Sequence, residues 1–585
     1  MLVYGDHSRI EDTRAFAARI LDAERQVATL PPGIARHAEL VANFIEAGEL
    51  MQGVADAAFA ARGHDARWPE QAGIVALLMR IGDAVRRSWD SDFQAPLVPA
   101  SAPKIGDKRL PEAVEIKRPE GYSFYALYPE SYLEAATALA EARAPLVIGI
   151  RSIGTGLSAL VAAALLAKPP VTVRPCGDPF QRELSLAPEV LRELLAHDAA
   201  YAIVDEGPGL SGSSFGAVAD ALEDGGVARE RIHALPSHAG DLGPKASPRH
   251  RRRWATLARH CVEFDALALD TPRAAHRLSA WVADLVGPLE GPLEDISGGG
   301  WRRKRFLDQS GWPAANVQQE RRKFLAHTAS GTWLVKFAGL GREGAAKLDR
   351  ARFLHDAGFT PEPYGFRHGF IVERWMDATT SIDPSGPDRG RFIETVGRYL
   401  GFRARTFPAA RDRGASLTGL HRMAVHNIAE ALGASAADCL ADFAGQLEDL
   451  ESRSRRIETD SRMHAWEWLA VAGGRFVKAD ALDHHAGHDL VGCQDVAWDV
   501  AGAVVELGLS EQERDRVCAI VEREGSCVVD PELLRLLTPC YLAFQLGAST
   551  LAAEALVGWP AEAARLKRSA ARYADALRGA LSPHP

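Results

Sequence analysis

None of the seven cysteines stands in a C-x-x-C pair, and their number is odd. That scatter argues against a disulfide frame or a zinc site and fits the reduced thiols of a cytosolic protein. Positive charge is not in excess either. The net charge of −9 lacks the basic surface that general nucleic-acid binding requires. The opening MLVYGDHSRIEDTR has neither the basic nor the apolar region of a signal peptide, and no apolar stretch reads as long enough to span a bilayer. The expectation is a cytoplasmic protein with no membrane or general nucleic-acid partner. At 585 residues, 47% hydrophobic and 25% charged, the chain is too long for one core and ordinary for globular domains.

The texture changes along the chain. Residues 1–118 are helical in pattern and end in a linker punctuated by proline and lysine over 95–118. Residues 119–290 alternate strands and helices: LVIGI, VTVRP, YAIVDE and RIHALPS are apolar strands, and the segments between them are helical. Continuous apolar strands separated by helices predict a parallel sheet covered on both faces. After GPLEGPLEDISGGG, residues 291–585 begin with a hairpin turning at Ala-Ser-Gly, then a helix and the strand GFIVERW. From about 388 the pattern is mainly helical, interrupted at 474–500. The expected class is therefore an α/β multidomain protein: a helical N-terminal region, a parallel-sheet domain and an α+β C-terminal domain. The helical region is open to three uses: acceptor lid, homodimer surface or partner site.

One stretch carries chemistry. YAIVDEGPGLSGSS (201–214) sets Asp205 and Glu206 at the end of an apolar strand, ahead of a glycine- and serine-rich turn. The string matches G-x-G-x-x-G, but the acid that a dinucleotide fingerprint needs after the next strand is missing. Carboxylates beside a phosphate need another task, and two fit: accepting hydrogen bonds from vicinal sugar hydroxyls, or helping to hold Mg²⁺. Behind them, backbone amides and hydroxyls at a helix start form an anion site.

VDEGPGLSGSS resembles the phosphoribosyl-diphosphate loop of type I phosphoribosyltransferases. The resemblance implies transfer of 5-phosphoribose from phosphoribosyl diphosphate to a small-molecule acceptor, with Mg²⁺ and loss of pyrophosphate. It assigns Asp205 and Glu206 to the sugar hydroxyls, and Gly209, Ser211, Gly212, Ser213 and Ser214 to the 5-phosphate loop. The turn after LVIGI, with Arg151, Ser152, Gly154 and Thr155, falls where the family keeps its pyrophosphate loop. The hood falls at RPCGDPFQREL, with Arg174 and Arg182 as clamps. His238 and the basic run Arg249-His250-Arg251-Arg252-Arg253 lie where acceptors are met, though such a run is also an ordinary solvated helix face. The tyrosines of GYSFYALYPESY suit either a stacked ring or packing.

A second constellation follows. Lys336 ends the apolar TWLVKF, and far downstream stands VKADALDHHAGHDLVGCQDVAWD. That order is similar to protein-kinase-like phosphotransferases, especially aminoglycoside and small-molecule kinases. The resemblance implies ATP as a substrate, with Lys336 on its phosphates, Asp480 orienting an acceptor hydroxyl, Asp495 on Mg²⁺ and Glu373 in the hinge that meets adenine. His485 occupies the place of the second metal ligand, although Mg²⁺ prefers oxygen. Asp499 matches an acid at the following helix start, Glu343 lies close to the lysine, and Ser297-Gly298-Gly299-Gly300 is the candidate glycine loop. Asp483, His484, His485, His488 and Asp489 also form a candidate transition-metal cluster. The resulting expectation is a bifunctional enzyme; a ligand-sensing regulator, or a transferase with an inactive kinase-like domain, stays open.

Overall fold

A computed structural model describes residue 5 and residues 8–97, 110–140, 144–377, 380–382, 385–487 and 490–581. Of the expected linker over 95–118, residues 98–109 lie outside the described residues, as do His488 and Asp489 of the candidate metal cluster.

The middle of the chain builds a five-stranded parallel sheet. Its order is Val171–Val173, Leu146–Ile150, Tyr201–Val204, Ile232–Leu235 and Ala258–Arg259. Neighbouring strands are all parallel, and the last is a two-residue strand too short to read from the sequence. Alternation divides each strand between two cores. Val147, Ala202 and Val204 face one, and Ile148, Tyr201 and Ile203 the other. Helices Pro188–Leu195 and Ser213–Asp224 cover the second face, through Val190, Leu194, Phe215 and Val218.

Helix Gly154–Ala164 covers the first face, and the N-terminal helices Ile34–Arg62 and Ala72–Asp90 pack on top of it. Gly48 and Gly156 let two backbones approach: a Cβ on Gly48 would lie 3.1 Å from Gly156 Cα.

The five-stranded antiparallel sheet runs Glu294–Asp295, Lys323–Thr328, Gly331–Phe337, Phe370–Arg374 and Pro363–Arg367. Helix Gly341–Asp356 follows the middle strand. Trp333, Val335 and Phe337 turn into the core that already holds Phe44, Leu160 and Tyr128. One apolar core thus runs from the N-terminal helices to this sheet. A separate core belongs to the C-terminal helices, including Arg389–Thr406, Leu417–Leu432, Val496–Leu507 and Pro531–Ala555.

Two expectations change. The interruption of the helical half begins before 474, because Trp468–Val471 and Arg475–Lys478 form a hairpin. Trp, Leu and Ala at its start look the same in a buried helix as in a strand. Helix Pro531–Ala555 also has the length and composition to cross a membrane, contrary to the sequence reading. Most of it is buried, with Leu536, Leu537, Tyr541 and Phe544 in the second core.

Candidate functional site

In an open α/β sheet the crevice lies at the carboxyl ends of the strands, where the strand order reverses direction. Here that point falls between Leu146–Ile150 and Tyr201–Val204. The turn 151–156 leaves one strand and Asp205-Glu206 leaves the other. A cavity of about 850 Å³ opens there, and Arg151, Arg182, Asp205, Glu206, Ser214 and His238 all reach it.

The two acids are held by backbone. Asp205 Oδ1 accepts from Glu206 N at 2.8 Å, and Tyr132 Oη donates to the Asp205 carbonyl at 2.8 Å. Glu206 accepts from Gly121 N, and a Cβ on Gly121 would come within 2.8 Å of Glu206 Oε1. Burial raises the Asp205 carboxyl to about 7, against the pull of Arg174 and Arg182. Burial, with Glu120 and Asp205 adding repulsion, raises Glu206 to about 8. Paired acids in this state are poised to lose a proton when a cation or hydroxyl donors arrive.

The loop residues divide. Gly209 and Ser214 line the cavity, and Gly209 and Gly212 adopt left-handed backbone at φ 61° and 62°. Ser211 and Ser213 instead turn inward. Their hydroxyls meet at 2.9 Å, and Ser213 Oγ donates to the Pro179 carbonyl at 2.8 Å. That carbonyl belongs to the turn of the hairpin Pro175–Asp178/Gln181–Leu184, the segment read as a hood. The serines tether the hairpin rather than open toward a phosphate.

The expected clamps are also committed. Arg151 is almost fully buried; its Nε donates to Asp56 at 2.8 Å and its Nη2 to Asp65 at 2.5 Å. Arg174 Nε donates to Asp56 at 2.8 Å and its Nη1 to the Arg151 carbonyl at 2.8 Å. Both arginines line the cavity with their charge partly spent on carboxylates of the helical region. Ser152 reaches the cavity too, whereas Gly154 and Thr155 are buried at the helix start. A Cβ on Gly154 would meet the Val204 carbonyl at 2.5 Å, so this glycine serves packing between the two central strands.

The second site is a cleft of about 330 Å³ between the antiparallel sheet and the C-terminal helices. Alternation puts Leu334 and Lys336 on the cleft face of their strand. Lys336 Nζ lies 2.6 Å from Asp480 Oδ1, at the exit of the 468–478 hairpin. Burial pulls the ammonium down, but Asp480, Asp483 and Glu373 outweigh it and raise Lys336 above its ordinary value. Asp480 is correspondingly held well below the usual carboxylate range, Lys336 outweighing its burial.

Asp480, Asp483 and His484 bring donor atoms within 4.8 Å of one another. Asp483 is met by Lys347 Nζ at 3.0 Å and Arg321 Nε at 3.4 Å. Two carboxylates facing open space suit Mg²⁺, which takes one or two protein oxygens and keeps waters or phosphates on its other positions.

The expected metal residues stand apart from this group. Asp495 caps helix Val496–Leu507, its two oxygens accepting from Ala497 N at 3.0 Å and Arg455 N at 2.8 Å. His485 does not line the cleft; it is buried with Nε2 3.8 Å from Glu458, and burial beside Arg350 and Arg403 pulls its imidazole well below its ordinary value. Glu373 is buried behind Lys336, and burial raises it to about 7; the residue of that segment that lines the cleft is Trp375. Glu343 approaches Arg118 at 3.8 Å rather than the lysine.

Behind the cleft stand Asp460 and Lys347, which the sequence reading missed, and Asp499, which it placed at a helix start. Asp460 is buried, with Lys478 Nζ at 3.3 Å and His484 Nδ1 at 3.2 Å. Asp499 fixes its turn by accepting from Asp460 N at 2.8 Å and Ser461 N at 2.7 Å. Lys347 had a faint signal: it lies one helical turn before Arg350, and both are buried on the inward face of Gly341–Asp356.

The sequence matches no protein family and no curated protein. About half of the chain is similar to solved phosphotransferases. A choline/ethanolamine kinase family protein from Mesorhizobium loti is 15% identical, covering 51% of this chain and 97% of its own, with a TM-score of 0.32. A macrolide 2'-phosphotransferase type I is 15% identical, covering 50% and 95%, with a TM-score of 0.33. A choline kinase from Streptococcus pneumoniae is 18% identical, covering 43% and 90%, with a TM-score of 0.30.

Proposed function

We propose that this chain is an enzyme with two ligand sites: an ATP-dependent small-molecule phosphotransferase at Lys336, and a sugar-phosphate site at Asp205 and Glu206 that transfers 5-phosphoribose. The contact between Lys336 and Asp480 carries the first half. It sets a permanent cation and an ionised carboxylate face to face in a cleft that Leu334, Trp375 and Leu469 make apolar enough for a nucleotide base. Lys336 then binds nucleotide phosphates, and Asp480 with Asp483 holds the divalent cation. That cation supplies charge neutralisation on the transferred phosphoryl group. Arg321 and Lys347 orient Asp483, and Asp499 keeps the Asp460 turn in shape.

At the carboxyl end of the parallel sheet the supporting observation is chemical: paired, backbone-held acids open to a cavity that also receives Arg182 and the Ser214 end of a helix. Asp205 and Glu206 accept hydrogen bonds from vicinal hydroxyls, and cationic character growing at the neighbouring anomeric carbon is stabilised by the same carboxylates. Pyrophosphate is the leaving group, and no residue attacks covalently. The test is direct: Mg²⁺·ATP and Mg²⁺·phosphoribosyl diphosphate are titrated into wild type, Lys336→Ala and the pair Asp205→Asn/Glu206→Gln. Each variant should lose one ligand and keep the other.

A second reading is favoured by one observation: Asp460 is enclosed by Lys478, Tyr399 and His484 and does not reach the cleft. In that reading the nucleotide is bound without phosphoryl transfer, and the protein senses its ligands. ADP formation across a screen of hydroxyl-bearing acceptors separates the two.

A further inference from the structure

The two cavities do not end at separate walls. Tyr125 lines both, and a third space of about 490 Å³ beneath Ser297 and Gly298 shares Tyr125 and Arg322 with one and Phe124 with the other. The wall is a single helical turn, Glu120–Phe124, followed by Tyr125.

Each end of this turn is held by a different site. Gly121 N donates to Glu206, so its N-terminal end rests on an acid assigned to the sugar. At the other end the Phe124 carbonyl accepts from Arg321 at 3.4 Å, and the Phe124 ring lies 4.5 Å beneath the same guanidinium. The Ser123 carbonyl accepts from Lys347 at 3.5 Å. Arg321 and Lys347 are the two cations that hold Asp483. In between, the Tyr122 carbonyl accepts from Leu340 N at 2.9 Å, tying the turn to the entrance of helix Gly341–Asp356. Every link from Glu206 to Asp483 is a hydrogen bond, an ion pair or a cation over a ring.

We propose that the turn Glu120–Tyr125 makes the two sites cooperative: a sugar diphosphate bound at Asp205 and Glu206 tightens nucleotide binding at Lys336, and the nucleotide returns the effect. The proposal rests on the two-site reading above. Its cause is a shared ordering cost. A ligand at either site fixes the turn, and the second ligand meets a turn already fixed. The sign is positive because both ligands draw on the same ordering cost: hydroxyls donating to Glu206 fix the side chain that meets Gly121 N–H. The firmer turn presents the Phe124 carbonyl and ring to Arg321, which then holds Asp483 in place for the cation. Linkage requires the two effects to be equal.

The test is a binding cycle on the full chain by calorimetry. Mg²⁺·phosphoribosyl diphosphate is titrated with and without saturating Mg²⁺·AMP-PNP, and the reverse. The expected result is a tightening of about fivefold or more in each direction, the same factor both ways. Phe124→Ala should bring that factor toward one, whatever it does to either affinity alone. Should this variant fail to fold, hydrogen exchange over 119–126 in wild type serves instead, with both ligands slowing it. Two ligands that bind with unchanged affinities would overturn the coupling and leave both site assignments standing. AMP-PNP binding without any sugar diphosphate binding would instead remove the Asp205/Glu206 assignment, and the coupling with it.

Discussion

Lys336 Nζ and Asp480 Oδ1 stand 2.6 Å apart, joining the antiparallel sheet to the hairpin exit across the cleft beside the C-terminal helices. Phosphates and a cation entering the cleft trade this pair for two stronger sets of contacts. Mg²⁺·ATP at 100 times its Kd should therefore stabilise the wild-type fold by about 2.7 kcal/mol. Lys336→Ala should show no such gain in thermal unfolding. An undiminished shift in the variant would place the nucleotide elsewhere.

The acids at the end of the central parallel strand predict a pH dependence with a definite sign. Glu206 is raised to about 8 and Asp205 to about 7, so both carry protons in the free protein below neutrality. Binding of Mg²⁺·phosphoribosyl diphosphate favours the ionised forms. Affinity should therefore rise between pH 6 and about pH 8 and level off above. Calorimetry in buffers of different ionisation enthalpy should register proton release over the same window.

The same pair costs stability. Their folded values exceed the unfolded ones, so the native state binds more protons and stability falls as pH climbs from about 4 to about 8. Asp205→Asn/Glu206→Gln should flatten that decline in chemical denaturation. An unchanged profile would contradict the burial of these acids.

Arg151 should behave as a structural cation. Its guanidinium is buried between Asp56 and Asp65, so Arg151→Met leaves Asp65 with no cation and Asp56 with Arg174 alone, and should cost about 3–5 kcal/mol. A variant of unchanged stability but with lost sugar-diphosphate affinity would return Arg151 to the clamp role.

Lys478 makes a parallel case in the other half. It is wholly buried between Glu467 and Asp460. Lys478→Met should destabilise by about 3–5 kcal/mol, and adding Asp460→Asn should recover part of the loss, as coupled neighbours do.

Much of the architecture was legible, because strands such as LVIGI and YAIV are apolar throughout and can only be buried on both faces. The hairpin about Ala329-Ser330 and helix Gly341–Asp356 stand where alternation and helical spacing place them. Site residues fared unevenly, for a physical reason. Arg151 reads as a clamp because its turn suits a diphosphate, yet its partner Asp56 lies 95 positions upstream. Asp480 and Asp495 each follow a short apolar run, and only the fold reveals that one faces Lys336 while the other caps a helix. Asp460 carries no local signal at all, and Lys478 stands out only as the residue two before Asp480. Their pairing exists only because a hairpin folds back on the turn that holds Asp460.

The continuous core from the N-terminal helices to the antiparallel sheet bears on how such a chain can be divided. Phe337 packs on Tyr128 of the preceding half as well as on Phe370 of its own, and Phe264 of the preceding half meets Phe324 and Phe370 of the sheet. A cut near residue 290 would leave two fragments, each with a bare apolar face that water does not tolerate. Neither half can therefore be exchanged or inherited as a free-standing module: a partner domain grafted in place of either would have to bring the matching half of that core.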